Sequence, residues 1–161
     1  MPEFLEKKLK AEYGNNPHAI YGTMNKIGAM HGNKETAKGK RMILIGQYDS
    51  PFVRRVGVAM RLMGVPFEHR PWSTFGDGDK LAAYNPLRRV PTLVLDDGEA
   101  LIESSAILDH LDEAAGPDRA LIPRSGHARR AALRIVSLAT GMADKAVALF
   151  YERALHPVAS D

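Results

Sequence analysis

The sequence contains no cysteine. Disulfides, cysteine thiolate nucleophiles and zinc sites with cysteine ligands are therefore excluded. Any thiol chemistry at this protein must use a thiol that a ligand brings to it. The six histidines show no paired metal-ligand spacing, so the sequence predicts no metal site.

Long apolar runs are also missing. No stretch approaches the roughly 18 consecutive apolar residues of a membrane span. The first residues, Met1 to Glu6, lack the basic-then-apolar order of a secretory signal. We therefore expect no membrane contact and a cytoplasmic location. With 161 residues, 45% of them hydrophobic and 25% charged, the chain has room for one ordinary domain and an appendage.

The net charge of +3 is concentrated near the beginning of the chain. Residues 1–41 hold eight Lys or Arg against four Asp or Glu. Their pattern predicts a charged helix over 3–13, a weaker helix over about 18–30 and a basic linker over 31–41. We interpret this part as a basic N-terminal extension that is partly helical or flexible. A nucleic-acid partner is not favoured, because the basic excess is small and few aromatics interleave with it.

From Met42 the pattern becomes that of an α/β domain. The apolar run over 42–46 predicts a buried strand, and apolar residues at three- and four-residue spacing predict a helix from Pro51 to about Gly64. Alternation over 65–70 predicts a second strand. Strand, helix and strand within about thirty residues form a βαβ unit.

The following residues complete a predicted four-stranded mixed sheet. A short helix over 79–84 precedes strands at 91–95 and 100–102, which are joined by an Asp-Gly turn. A helix follows from Ser104 to about Ala115, so the predicted order is βαβαββα. Residues 127–156 are predicted to form one long helix, with apolar residues along one side: Ile135, Leu138, Met142, Leu149 and Phe150.

The first candidate site is the start of the predicted helix at Ser50. A serine followed by proline is typical of an N-cap and a first helical residue. The hydroxyl would lie among free N–H groups at the positive end of a helix dipole, where a ligand thiol ionises more readily. On the residues alone, a purely structural cap is the commoner explanation.

The second candidate site is Val90–Pro91, at the start of a strand. Proline cannot donate to a strand ladder and is typical of a strand start or edge. A cis bond here would leave the Val90 N–H and C=O free to pair with an extended peptide. Because only about 5% of X-Pro bonds are cis, the residues alone favour a plain strand start.

The third candidate site is Glu103–Ser104, at a strand-to-helix junction. Backbone donors at such a junction can hold a carboxylate, and Glu103 can accept from a ligand ammonium. A simple capping arrangement explains the same residues.

Taken together, these motifs resemble the N-terminal domain of the glutathione S-transferases. The resemblance is carried, in chain order, by Ser-Pro-Phe-x-x-Arg from Ser50, Asn85-Pro86, Val90-Pro91 and Glu103-Ser104-Ser105-Ala106-Ile107. It implies a thioredoxin-like, glutathione-binding domain over 42–118. Residues 119–161 resemble the beginning of the all-helical C-terminal domain of the same family, which we expect to be truncated.

The resemblance also implies a role for the residues around the first helix. Ser50 would hold and activate the sulfur of glutathione, the thiol substrate. Tyr48 is a rival for the sulfur contact, although its position before the helix fits the serine-type sites of the family less well. Phe52 is counted among the glutathione-binding residues. Since related thiol-exchange members carry cysteine where this chain carries Ser50, mixed-disulfide chemistry is not expected.

For the other two sites the resemblance implies peptide contacts. The backbone of Val90, ahead of a cis Pro91, would pair with the cysteinyl unit of glutathione. Glu103 and Ser104 would bind its γ-glutamyl end.

The implied function is a detoxifying transferase reaction, in which the glutathione thiolate is added to a small electrophile. The resemblance also implies that the protein forms a homodimer. Because the later helices of the family are absent from this sequence, we expect glutathione binding to be kept more fully than turnover. The alternatives are a non-catalytic interaction module with the same fold and a truncated gene product.

Overall fold

A computed structural model describes residues 3–14, 16, 23, 26, 30–31, 34–35 and 41–156. The helices in this part of the chain are α1 (Glu3–Tyr13), α2 (Pro51–Leu62), α3 (Gly78–Ala82), α4 (Ser104–Ala115) and α5 (Gly126–Leu155). The strands are β1 (Met30–His31), β2 (Lys34–Glu35), β3 (Met42–Ile45), β4 (Phe67–Arg70), β5 (Thr92–Val94) and β6 (Ala100–Ile102).

Strands β3 to β6 form one mixed sheet in the order β4-β3-β5-β6. β3 runs parallel to β4 and antiparallel to β5, and β5 runs antiparallel to β6. With α2, α3 and α4 between the strands or after them, the order is βαβαββα. The predicted fold class, an α/β domain with a four-stranded mixed sheet followed by a long helix, is confirmed.

The beginning of the chain differs in part from its prediction. Helix α1 covers the predicted range, but most of the weaker helix predicted over 18–30 lies outside the described residues. The prediction of a linker from residue 31 was wrong for His31 of β1 and for Lys34 and Glu35 of β2, and the predicted helix was wrong at Met30 of β1, since the two strands pair antiparallel. The two strands are separated by Gly-Asn, a two-residue spacing typical of a hairpin. The rest of that linker lies outside the described residues up to Arg41.

The sheet buries apolar side chains on both faces, because successive residues of a strand point to opposite sides. Leu44 and Leu93 face α2 and α4 in the main core, whose buried members are Leu44, Val53, Val56, Met60, Met63, Leu93, Ile107 and Leu111. Ile45 and Val94 face the other side, where they pack with Leu81 of α3. The strands are therefore held between two layers, and their ends have fixed positions.

Helix α5 leaves an apolar face uncovered. Its more protected residues follow one stripe and remain only half-buried: Arg129, Ala132, Val136, Thr140, Ala143 and Val147. The predicted apolar side is exposed, with Leu138 at 63% and Met142 at 74% of full accessibility. No helix in the described part of the chain is long and apolar enough to cross a bilayer.

Candidate functional site

The sheet brings the three candidate sites to one edge. Ile45, at the end of β3, pairs with Arg70, at the end of β4, and with Thr92, at the start of β5. Thr92 in turn pairs with Ile102, at the end of β6. The connections that leave or enter these positions carry Ser50, Val90–Pro91 and Glu103–Ser104. Residues far apart in the sequence therefore meet beyond the same ends of the strands.

Ser50 caps α2, as its sequence context indicates. Its backbone is extended (φ −66°, ψ 122°), and its Oγ accepts a hydrogen bond from the Val53 N–H at 3.4 Å. Pro51 occupies the first helical position. Accepting this bond uses an oxygen lone pair and leaves the hydroxyl proton free to donate to a ligand. The structural cap and a sulfur contact are therefore compatible at this residue.

The Val90–Pro91 peptide bond is cis. Pro91 is buried and Val90 is half-buried, immediately before β5 begins at Thr92. The Val90 N–H and C=O make no hydrogen bond with another residue that the structure describes. One donor and one acceptor of the backbone are consequently available for an extended ligand at this edge.

A buried asparagine shapes the segment before Val90. Asn85 is 1% exposed, and its Nδ2 donates to the Arg89 carbonyl at 2.9 Å and to the Thr92 Oγ1 at 3.2 Å. Its Oδ1 accepts from the Leu87 N–H at 2.9 Å. The sequence indicated Asn85 only as part of the family pattern. Its side chain in fact joins the Arg89 carbonyl, before Val90, to the Thr92 hydroxyl, after Pro91.

Glu103 lies between β6 and α4 in an uncommon backbone conformation. Its φ of 69° is in the left-handed region, which costs a non-glycine residue on the order of 1–3 kcal/mol. Its side chain is exposed, and its Oε1 lies 3.5 Å from the Arg89 Nη1. An exposed ion pair of this length is weak. The carboxylate can therefore exchange Arg89 for a ligand ammonium at little cost.

Ser104 begins α4 and is joined to α2 by a side-chain hydrogen bond. Its Oγ accepts from the Arg55 Nη1 at 3.2 Å, and the residue is only 4% exposed. Burial lowers the pKa of the Arg55 guanidinium from its ordinary value. The family motif contains this arginine, but sequence reasoning gave it no role. It places a half-buried positive charge beside the start of α4, where a carboxylate is favoured.

Tyr48 and Phe52 occupy different surroundings near Ser50. The Tyr48 ring stacks on His69 with centroids 4.2 Å apart, and its hydroxyl is buried without a partner among the described residues. A Cβ at Gly57 of α2 would lie 2.7 Å from that ring, so the phenol is packed against the helix. Phe52 is half-buried on the first turn of α2. The buried position of the Tyr48 hydroxyl favours Ser50 as the sulfur contact.

Residues 44–119 match the family model for the glutathione S-transferase N-terminal domain. These residues form a glutathione S-transferase N-terminal domain. A GST-like protein of Escherichia coli, YibF, is 31% identical over 113 residues, which are 70% of this chain and 55% of that protein. The maleylacetoacetate isomerase of Pseudomonas aeruginosa is 37% identical over 62% of this chain and 49% of its own. This chain spans about half the length of these curated proteins.

Solved structures of the family share the fold. A glutathione transferase family member from Pseudomonas fluorescens, with bound glutathione, superposes with a TM-score of 0.64 at 36% identity. It covers 73% of this chain, which covers 58% of it. A glutathione S-transferase from Methylobacterium radiotolerans, in complex with glutathione sulfonate, has a TM-score of 0.66 at 34% identity over 71% of this chain and 53% of its own. The thioredoxin-like fold predicted from the sequence is the fold of these neighbours.

Proposed function

We propose that this protein binds glutathione at the sheet edge, with residues 42–118 as the binding unit. The observation that carries the proposal is the meeting, at that edge, of two helix starts and a Val90 backbone that pairs with no other described residue. Glutathione is an extended thiol peptide with one ammonium and two carboxylates, so it needs donors and acceptors of these kinds. The neighbours from Pseudomonas fluorescens and Methylobacterium radiotolerans carry glutathione or its sulfonate, which supports the same ligand here.

The γ-glutamyl end is assigned to the start of α4. Its carboxylate takes backbone N–H groups and the Ser104 hydroxyl, beside the positive charge of Arg55. Its ammonium takes the Glu103 carboxylate in place of Arg89. The cysteinyl unit pairs with the N–H and C=O of Val90, as a short added strand does.

The thiol is assigned to the start of α2. A free thiol has a pKa of about 8.5, so only a few per cent is ionised at neutral pH. The Ser50 hydroxyl donates to the thiolate, and the positive end of the α2 dipole favours the same charge. Both effects lower the pKa of the bound thiol and raise the share of the nucleophilic form. Ser50 is therefore the activating residue in this proposal.

The reaction that follows from an activated thiol is addition to a small electrophile. Turnover also requires the electrophile to be held in line with the sulfur. A cytoplasmic location fits the proposal, because cytosolic thiols are kept reduced.

Removal of the Ser104 hydroxyl is expected to weaken retention on immobilised glutathione. Ser104→Ala should lose about tenfold or more in affinity, since a hydrogen bond to a charged group contributes about 1.5–3 kcal/mol. Glu103→Gln should act in the same direction through the ligand ammonium. Ser105→Ala is the matched control, because Ser105 is exposed on the same turn of α4. Equal retention of the Ser104 and Ser105 variants would contradict the assignment.

Removal of the Ser50 hydroxyl is expected to reduce conjugation of glutathione to a generic aryl halide. The rate of Ser50→Ala should fall at least about tenfold below the wild type, because the thiolate loses its hydroxyl donor. Retention on immobilised glutathione should change much less. Identical conjugation rates in the two proteins would exclude Ser50 as the activating residue.

The exposed apolar face of α5 favours a second candidate function, a non-catalytic interaction module with the same fold. A homodimer is one of the assemblies that such a module would form. This candidate predicts a folded protein that neither binds immobilised glutathione nor conjugates it. If the wild-type protein is retained on immobilised glutathione and Ser104→Ala reduces this retention, an interaction module that does not bind glutathione is excluded.

A further inference from the structure

The loop from Gly46 to Ser50 joins β3 to α2 and ends at the proposed sulfur contact. Its first residue is held by β4, because the Gly46 N–H donates to the Arg70 carbonyl at 2.9 Å. Its middle is held by α2, because the Arg54 Nε donates to the Tyr48 carbonyl at 3.0 Å. The position of Ser50 thus depends on how firmly this loop is tied to both elements.

His69 of β4 contacts the loop at two further points. Its Nε2 lies 2.7 Å from the Gly46 carbonyl oxygen, and its ring stacks on Tyr48 with an interplanar angle of 26°. Because a carbonyl oxygen only accepts, the proton of this bond is on Nε2. The imidazole is half-buried, and it joins a side chain of the sheet to the peptide at which β3 leaves the sheet.

The Tyr48 ring passes this constraint to the helix. It is enclosed between His69 and Gly57, where a Cβ would lie 2.7 Å from its Cε1. Its buried hydroxyl has no hydrogen-bond partner among the described residues, so the Tyr48 ring contributes here only by packing. Movement of His69 would therefore move Tyr48, which lies two residues before Ser50.

We propose that His69 is a positioning residue, which fixes the loop so that the Ser50 hydroxyl faces the glutathione sulfur. This inference rests on the proposed function, because it requires a thiol at Ser50. His69 acts through Gly46 and Tyr48 and does not touch the ligand. Hydrogen bonds weaken steeply with distance and angle, and a displacement of about 1 Å can cost about a hundredfold in rate.

Three substitutions of His69 distinguish the contribution of its hydrogen bond to the Gly46 carbonyl from that of its stacking on Tyr48. His69→Phe keeps a ring against Tyr48 and removes the N–H. His69→Gln places an amide N–H close to the position of Nε2, whereas the shorter His69→Asn cannot reach the Gly46 carbonyl. His127→Phe makes the same chemical change at an exposed histidine of α5, so it serves as the control.

The test compares the pKa of the bound glutathione thiol, followed by its thiolate ultraviolet absorbance, with the glutathione Kd from calorimetry. We expect His69→Phe and His69→Asn to hold about tenfold less thiolate at neutral pH than the wild type, which corresponds to a rise of about one in the thiol pKa. Their Kd should change less than about threefold. His69→Gln should recover most of the thiolate, and His127→Phe should match the wild type.

The outcomes separate this inference from the proposed function. Failure of the wild type to bind glutathione overturns both. If the wild type lowers the thiol pKa through Ser50 but His69→Phe does so equally, His69 is merely structural and only the inference is overturned. Should His69→Phe not fold, the pair His69→Asn and His69→Gln decides: equal thiolate fractions contradict the inference, and recovery in the glutamine variant alone supports it.

Discussion

Gly46→Ala is expected to lower the free energy of unfolding by about 3–5 kcal/mol, by combining backbone strain with overlap in the core. Gly46 has φ +131°, a conformation that other residues rarely adopt. An added Cβ would lie 2.5 Å from the Val53 Cγ2 and 2.8 Å from the Val90 Cβ. Val53 is fully buried, and the Val90 Cβ is bonded directly to the backbone, so neither neighbour can move away cheaply. Since the total stability of a domain is about 5–15 kcal/mol, this is a large share.

Urea unfolding followed by circular dichroism measures this loss. Gly98→Ala is the matched control, because Gly98 also has a positive φ of 94° but an added Cβ there meets nothing within 4 Å. It isolates the backbone strain from the overlap. The Gly46 variant should also bind glutathione more weakly, since the overlap pushes on Val90. If the two variants lose equal stability, the prediction that an added Cβ at Gly46 overlaps with Val53 and Val90 is wrong.

Asn85→Ala is expected to cost about 2–4 kcal/mol of stability, because it breaks three hydrogen bonds in a buried place. The Asn85 side chain bonds to the Leu87 N–H, the Arg89 carbonyl and the Thr92 Oγ1. The segment before β5 is irregular and depends on this side chain for its shape. The variant should therefore lose affinity for glutathione in addition to stability.

Thr92→Val serves as the comparison: it removes one of the partners of Asn85 and also the hydrogen bond that the Thr92 Oγ1 donates to the Arg89 carbonyl at 3.2 Å. Its cost should be about 1–2 kcal/mol, the net contribution of two ordinary hydrogen bonds. Thermal unfolding and glutathione calorimetry on both variants measure the two effects. If Asn85→Ala is as stable as Thr92→Val and binds glutathione with wild-type affinity, Asn85 does not shape the Val90 segment.

The helices and strands of the domain could be predicted because their signals are local. Ser50-Pro51 marks the start of α2, since a cap and a first-turn proline act within a few residues. The long helix was predicted over 127–156 and spans Gly126–Leu155. The β1–β2 hairpin was missed although Gly-Asn lies between its strands, because charged flanks suggested a linker.

The contacts that build the site could not be predicted from local patterns. Arg55 bonds to Ser104, which lies 49 residues away and meets it only when α2 and α4 pack on the same face of the sheet. The left-handed φ of Glu103 and the bond from His69 to Gly46 also depend on the assembled sheet. Sequence indicated which residues to consider, and the strand register determined which of them meet.

The most direct test of glutathione binding at the sheet edge is a titration of the isotope-labelled full chain with reduced glutathione, followed by amide chemical shifts. Saturable shifts should concentrate at the amides of Ser50, Val90 and Ser104. These residues belong to three separate connections, so only a ligand that spans the edge moves all three together. Shifts that do not saturate, or that leave these three amides unchanged, would contradict glutathione binding at this edge.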